Sequence, residues 1–171
     1  ILNDIGVLPP PYPIKDSKKC SAKVRSILRK YIEQEDRFNL TSNQLLIENK
    51  MLFIPVEGTV TQGFNTKENH LAIDIAVDIG TPIKAASDGR VLFAEWTLET
   101  GYVIIIDHGD MLTTAYKHNS AVLKKQNEFV NAGEIIALSG NHGTLTTGPH
   151  LHFELWKNGS PIDPAQLFNF Q

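Results

Sequence analysis

The chain has 171 residues, of which 42% are hydrophobic and 20% charged, so it can bury a core and is too apolar for wholesale disorder. Its one cysteine excludes an internal disulfide framework and a cysteine-rich zinc finger, so any bound metal must be held by carboxylates and the six histidines. The net charge of −3 is uneven: residues 1–50 carry 9 Lys/Arg against 6 Asp/Glu, and residues 51–171 carry 7 against 13. An acidic main domain argues against nucleic acid as a partner.

Residues 9–13 read PPPYP, a stiff extended segment. From about Ser17 to Glu35, Cys20, Val24, Ile27, Leu28, Tyr31 and Ile32 fall at helical spacing, while Lys18, Lys19, Lys23, Arg25, Arg29 and Lys30 cover mainly the remaining surface. This predicts an amphipathic helix with Cys20 as an inert thiol on its apolar stripe. Its basic face could meet a membrane surface or a protein partner, or simply be solvated. Residues 36–50 fit either a hairpin or a helix end. The boundary falls near residue 50, giving an N-terminal arm over 1–50 and a main domain over 51–171.

From residue 51 the chain reads as β-rich. LFIPV, LAIDIAV, GRVLFAEW, YVIIIDH, LTTAYKH, EIIAL and HLHFELW are short strands bounded by Gly, Asn, Asp or Pro. With little helix between them, they predict a mainly β domain, an antiparallel sandwich or open barrel. Asn158-Gly159 predicts a hairpin turn.

Three strands carry polar faces. In HLAIDIA, alternation puts Leu71, Ile73 and Ile75 toward the core and His70, Ala72, Asp74 and Ala76 on the other side. In HLHFELW, His150, His152, Glu154 and Trp156 share one face, and Leu151, Phe153 and Leu155 the apolar one. In LTTAYKH, alternation places Tyr116 with His118, opposite Ala115 and Lys117. His-x-x-x-Asp and His-x-His are each weak signals alone; together they suggest that the strands converge on one groove.

The segments NHLAIDIAVDIGTPIKAASDGRV, GYVIIIDHG, YKHNS and TTGPHLHFELWKNGSPIDP resemble the lysostaphin/LytM-type zinc metallopeptidases of bacterial cell walls, over about residues 54–168. The shared pattern is His-x-x-x-Asp early, His-x-His late, and a further His after a Tyr between them. The resemblance implies that His70, Asp74 and His152 bind Zn²⁺ and that His118 and His150 are the catalytic histidines. Three protein ligands would leave a fourth position for water, the arrangement of a catalytic zinc. No HExxH is present, so the two further histidines stand in for its general base.

The resemblance also implies a location on the periplasmic or extracellular side of a bacterial envelope, anchored to the membrane or exported in full-length form. The implied partners are stem or bridge peptides of peptidoglycan, with D,D-endopeptidase activity on cross-links favoured over glycyl-glycine cleavage. The alternative is a LytM-like binding module that has no activity itself and activates a cell-wall amidase; such modules lack site residues that stand here. Three positions depart from the family's usual pattern: Ala72 for Gly, Asn119 for Leu, and His142 for a small hydroxyl residue. They bear on substrate preference rather than on the ligand set, and Asn119 is expected to reshape the wall beside His118.

Four other residues carry structural expectations. His108 is expected to serve in turn bonding and His142 to be exposed. Glu154 is read either as a partner orienting a ligand histidine or as half of a cross-strand ion pair. Tyr116 is expected to be a packed aromatic.

Overall fold

A computed structural model describes residues 52–170. The predicted arm, with its Pro-rich segment and helix, lies outside the described residues. Eleven strands and one 3-10 turn follow in order: β1 (Thr59–Gln62), β2 (Ile73–Ala76), β3 (Pro82–Lys84), β4 (Gly89–Thr97), β5 (Gly101–Asp107), β6 (Leu112–Asn119), β7 (Ala121–Val122), β8 (Phe129–Val130), β9 (Ile135–Leu138), β10 (His150–Lys157), β11 (Ser160–Ile162) and the turn at Pro164–Gln166. An eight-stranded sheet runs β1-β2-β10-β6-β5-β4-β8, with β11 added beside β10, and β3-β9-β7 forms a second sheet. Every pairing is antiparallel. The mainly β architecture expected from the strand spacing is the one observed.

One face of the large sheet packs on the small sheet. Ile73 and Ile75 of β2, Ile104 and Ile106 of β5, and Leu151, Phe153 and Leu155 of β10 join Ile83, Val122 and Ile136 of the small sheet in one core cluster. Each of these side chains is 2% exposed or less. Burial of one such side chain contributes about 1.5–3 kcal/mol. The opposite face of the large sheet has two halves. One is apolar: Leu92, Phe93, Val103, Ile105, Ala115 and Trp156 form a second cluster. The other half carries the polar groove.

β10 follows its predicted alternation from end to end, because the three apolar side chains have one buried layer to enter. The turn after it has Asn158 and Gly159 at φ 51° and 78°, the left-handed pair that a two-residue hairpin requires. Two expectations fail nearby. LFIPV is irregular, and the first strand is instead Thr59–Gln62, which is exposed along its whole length and so has no alternation to read. Alternation in HLAIDIA begins only at Ile73: Leu71 lies at the groove rim, and Ala72 is fully buried.

Candidate metal and catalytic site

β2 and β10 run side by side with His152 opposite Asp74 and His150 opposite Ala76. The pleat therefore puts the Asp74 carboxylate beside both imidazoles. Asp74 Oδ1 lies 2.8 Å from His152 Nδ1, and Asp74 Oδ2 lies 3.7 Å from His150 Nε2. His70 precedes β2 and is held by a two-way backbone bridge with Asn65, 2.7 and 2.9 Å long. Its Nε2 reaches within 3.3 Å of Asp74 Oδ2.

His118 arrives by a different route. Tyr102 pairs with Asn119 and Ile104 with Tyr116, so Lys117 and His118 of β6 stand opposite the single residue Val103 of β5. This is a β-bulge, and it re-aims the side chains that follow it. His118 takes φ 64°, a left-handed conformation that a non-glycine residue adopts at a strain cost. The predicted alternation is therefore corrected. Lys117 faces the groove opposite His152, and Tyr116 is fully buried against Phe153 on the other face. The bulge then swings His118 to the groove side, where its ring centroid lies 4.8 Å from that of His150 and 5.7 Å from that of His152. The His118 amide donates to the Thr100 carbonyl at 2.7 Å. Behind the bulge, the Asn119 side-chain amide donates to the carbonyls of Tyr102 (3.1 Å) and Tyr116 (3.0 Å). Asn119 thus pins the bulge from the buried side and does not line the groove, contrary to expectation.

Three imidazoles are oriented by one device. His70, His118 and His150 each place Nδ1 on a main-chain carbonyl: Gly63 at 2.8 Å, His142 at 2.9 Å and Gly148 at 2.7 Å. A carbonyl only accepts, so Nδ1 must donate and each neutral ring turns a bare Nε2 toward the groove. The site missed by sequence reading is thus the loop over 139–149, which supplies two of these carbonyls. The His142 imidazole is exposed, as expected, yet its carbonyl orients His118. His108 is a buried bridge, from the Asp88 carbonyl (2.8 Å) to the Thr114 hydroxyl (2.7 Å). That hydroxyl bonds on to Tyr116, whose own hydroxyl accepts from the Ala86 amide.

His152 differs from the other three. It stands between two carboxylates, with Nδ1 on Asp74 and Nε2 3.2 Å from Glu154 Oε1. Glu154 also takes the Lys117 ammonium and, at 2.9 Å, the Trp156 indole N–H. Glu154 thus contacts the His152 ring and at the same time forms an ion pair with Lys117 of the neighbouring strand.

The electrostatics follow. Burial by itself would raise the Asp74 carboxyl, but the bond to His152 and the surrounding imidazoles outweigh it and hold it below its usual value. Burial would lower His152, but the bonds to Asp74 and Glu154 raise it. Burial would also raise Glu154, and Lys117 with His152 drives it far below the usual carboxylate range. His118 has no carboxylate partner of its own; burial pushes it down to about 4.

Among the described residues two groups of donors could hold a metal, His70/Asp74/His152 and His118/His150/His152, each with its ligand atoms within 4.8 Å of one another. The first fits a cation better. It has a carboxylate at its centre, and the buried His70 Nε2 has no hydrogen-bond partner. In the neutral ring that nitrogen is a lone pair facing the Asp74 carboxylate at 3.3 Å, two acceptors that a cation between them would satisfy. The groove, about 290 Å³, is also lined by Gln62, Asn69, Leu71, Thr100, Leu145 and Thr147.

A β-scaffold that gathers a His/His/Asp set and two further histidines at an open groove has the layout of a hydrolytic metal site. The profile of peptidase family M23 matches residues 68–164, more than half of the chain, and the chain belongs to that family. It is 35% identical over 113 residues to the peptidoglycan DD-endopeptidase ShyB of Vibrio cholerae, covering 61% of this chain and 26% of that protein. It is 40% identical over 114 residues to the murein hydrolase activator NlpD of Escherichia coli, covering 66% of this chain and 30% of that one. Among solved structures it resembles a zinc-containing peptidase from Vibrio cholerae, with a TM-score of 0.62 and 34% identity over 67% of this chain and 39% of that one. The chain thus spans about a quarter to a third of the length of these two curated relatives. Among the described residues, no helix is long and apolar enough to cross a membrane.

Proposed function

We propose that residues 51–171 act as a zinc-dependent endopeptidase on the peptide cross-links of bacterial peptidoglycan, in the cell envelope, with residues 1–50 as an appended arm. His70, Asp74 and His152 are the proposed ligands, and His118 and His150 the proposed catalytic pair. The observation that carries the reading is the unpartnered His70 Nε2 beside Asp74, with two more imidazoles turning bare Nε2 atoms into the same groove. The similarity to a DD-endopeptidase favours stem-peptide cross-links over glycine bridges as substrate.

Zinc, when bound, supplies Lewis acidity that makes water a better acid and polarises a peptide carbonyl. The chain's own residues handle the protons. A neutral Nε2 on His118 or His150 accepts a proton from the attacking water, and the resulting Nε2–H passes it to the leaving amine nitrogen. The His142 and Gly148 carbonyls keep these rings in the accepting orientation throughout.

The similarity to a murein hydrolase activator supports a second reading, a binding module that switches on a cell-wall amidase. The presence of all five site residues favours catalysis. The test is incubation of the protein with purified cross-linked muropeptides and with pentaglycine, with and without chelator, and product identification by mass. Chelator-sensitive release of monomeric stem peptides is expected. Intact substrates after incubation of the zinc-loaded protein would favour the activator reading.

A further inference from the structure

Behind His152 lies a cluster with more polarity than packing needs. Glu154 is 7% exposed and sits beside Ala115 and Trp156, next to the apolar half of the sheet face. Its carboxylate serves three donors: the Lys117 ammonium and His152 Nε2 on Oε1, and the Trp156 indole on Oε2. A buried ion pair of this kind is a poor source of stability, because desolvating both charges offsets most of their attraction. What it can do well is hold one geometry.

We infer that Lys117, Glu154 and Trp156 form a positioning cluster that keeps the His152 proton on Nε2 and presents Nδ1 to the metal. The inference rests on the proposed zinc site. The carboxylate has no donor, so an imidazole bonded to it through Nε2 must carry its hydrogen there. Nδ1 stands in the same relation to the Asp74 carboxylate, 2.8 Å away, so without a cation it too would carry a hydrogen; a cation held between Asp74 and Nδ1 would take that hydrogen's place and leave the one on Nε2 held by Glu154. Lys117 and Trp156 fix the two oxygens of Glu154 from separate directions, so the carboxylate cannot turn away. His152 is thereby set in the tautomer opposite to His70, His118 and His150, whose Nδ1 atoms are engaged by main-chain carbonyls. One groove holds imidazoles of both tautomers, each set by its own acceptor.

Glu154→Gln keeps the shape but has one acceptor oxygen for three donors, so its amide is free to turn an N–H toward His152 and move the ring proton to Nδ1. Zinc affinity, read by competition with a chromophoric chelator, is expected to fall about 10–100-fold. Trp156→Phe keeps the ion pair and frees only Oε2; a smaller loss, about threefold or more, is expected on the same principle. The unaltered zinc-loaded protein supplies a readout independent of folding effects. Long-range nitrogen–proton NMR should show the His152 hydrogen on Nε2 and the His118 and His150 hydrogens on Nδ1. A His152 hydrogen on Nδ1, or a folded Glu154→Gln protein that binds zinc as tightly as the parent, would overturn the inference. Failure of the parent itself to bind zinc would instead remove the site reading on which it rests.

Discussion

Asp74 and His152 face each other across a ladder of paired strands, whereas His118 reaches the same groove through a bulge, a left-handed residue and a loop carbonyl. The first arrangement is fixed by register, which a buried apolar face enforces along the whole of β10. The second depends on close packing at three glycines, one at the start of β5 and two in the loop over 139–149. A Cβ at Gly101 would lie 2.6 Å from His142 Cβ, one at Gly140 would lie 2.8 Å from the His118 carbonyl oxygen, and one at Gly143 would lie 2.2 Å from the Glu99 carbonyl oxygen. The proposed metal ligands and the proposed proton carriers are thus held by different parts of the fold. Substitutions should separate them.

The largest effect is expected at the ligands. Asp74→Ala should abolish zinc binding and, with it, hydrolysis; elemental analysis of the purified protein measures the first. Undiminished zinc would remove Asp74 from the ligand set.

Gly101→Ala attacks the other half alone. The added methyl and the φ of 66° push the His142 carbonyl off His118. A displacement near 1 Å at a catalytic group costs about 100-fold in rate. We expect kcat to fall about 10–100-fold with zinc content unchanged, and loss of zinc in step with kcat would merge the two halves.

Acid should act through the ligands first. Protons compete with zinc for the proposed ligand histidines, and the bonds to Asp74 and Glu154 raise His152, so activity should decline in acid well before the pH reaches about 4. His118, pushed down by burial to about 4, stays neutral through that range and is not the group that titrates there. The midpoint of the acid limb should therefore move to lower pH as free zinc is raised. A midpoint indifferent to zinc would assign the limb to a catalytic imidazole. The same depressed value fixes a sign for stability: the unfolded imidazole takes its proton near 6.5 and the folded one near 4, so the His118 contribution is lost as pH falls through that window. Thermal unfolding of the zinc-free protein at pH 7 and pH 5 should show a smaller acid-induced drop in His118→Asn than in the parent.

The smallest effect is expected for His142→Ala, which removes an exposed imidazole and leaves the carbonyl on His118 in place. Turnover within about twofold of the parent is expected, since surface substitutions away from buried contacts change little. A large loss would give the His142 side chain itself a role.

The same division explains what the sequence made legible. HLHFELW alternates on a fully buried layer, so the shared face of His150, His152 and Glu154 could be read from period two alone. Asp74 followed from the same rule in IDIA. His70 comes to Asp74 through a bridge to Asn65 rather than through the strand pattern, so its placement agreed with an alternation that in fact starts three residues later. The bulge at Lys117–His118 adds one residue without any glycine or proline to mark it, and it reversed the predicted faces of Tyr116 and Lys117. The carbonyl locks were invisible because main-chain acceptors leave no side-chain signature. Only the glycines at 140 and 143, in a loop of small polar residues, hinted that the backbone approaches closely there.

The central claim is that metal holding and proton handling are separate assignments within one groove. Zinc content and muropeptide turnover, measured on the same preparation of His118→Ala, test it most directly. The account predicts one zinc ion per chain, as in the parent, with turnover reduced by about 10²–10⁴-fold, the usual contribution of a general base. Loss of zinc together with turnover, or full turnover with zinc retained, would contradict it.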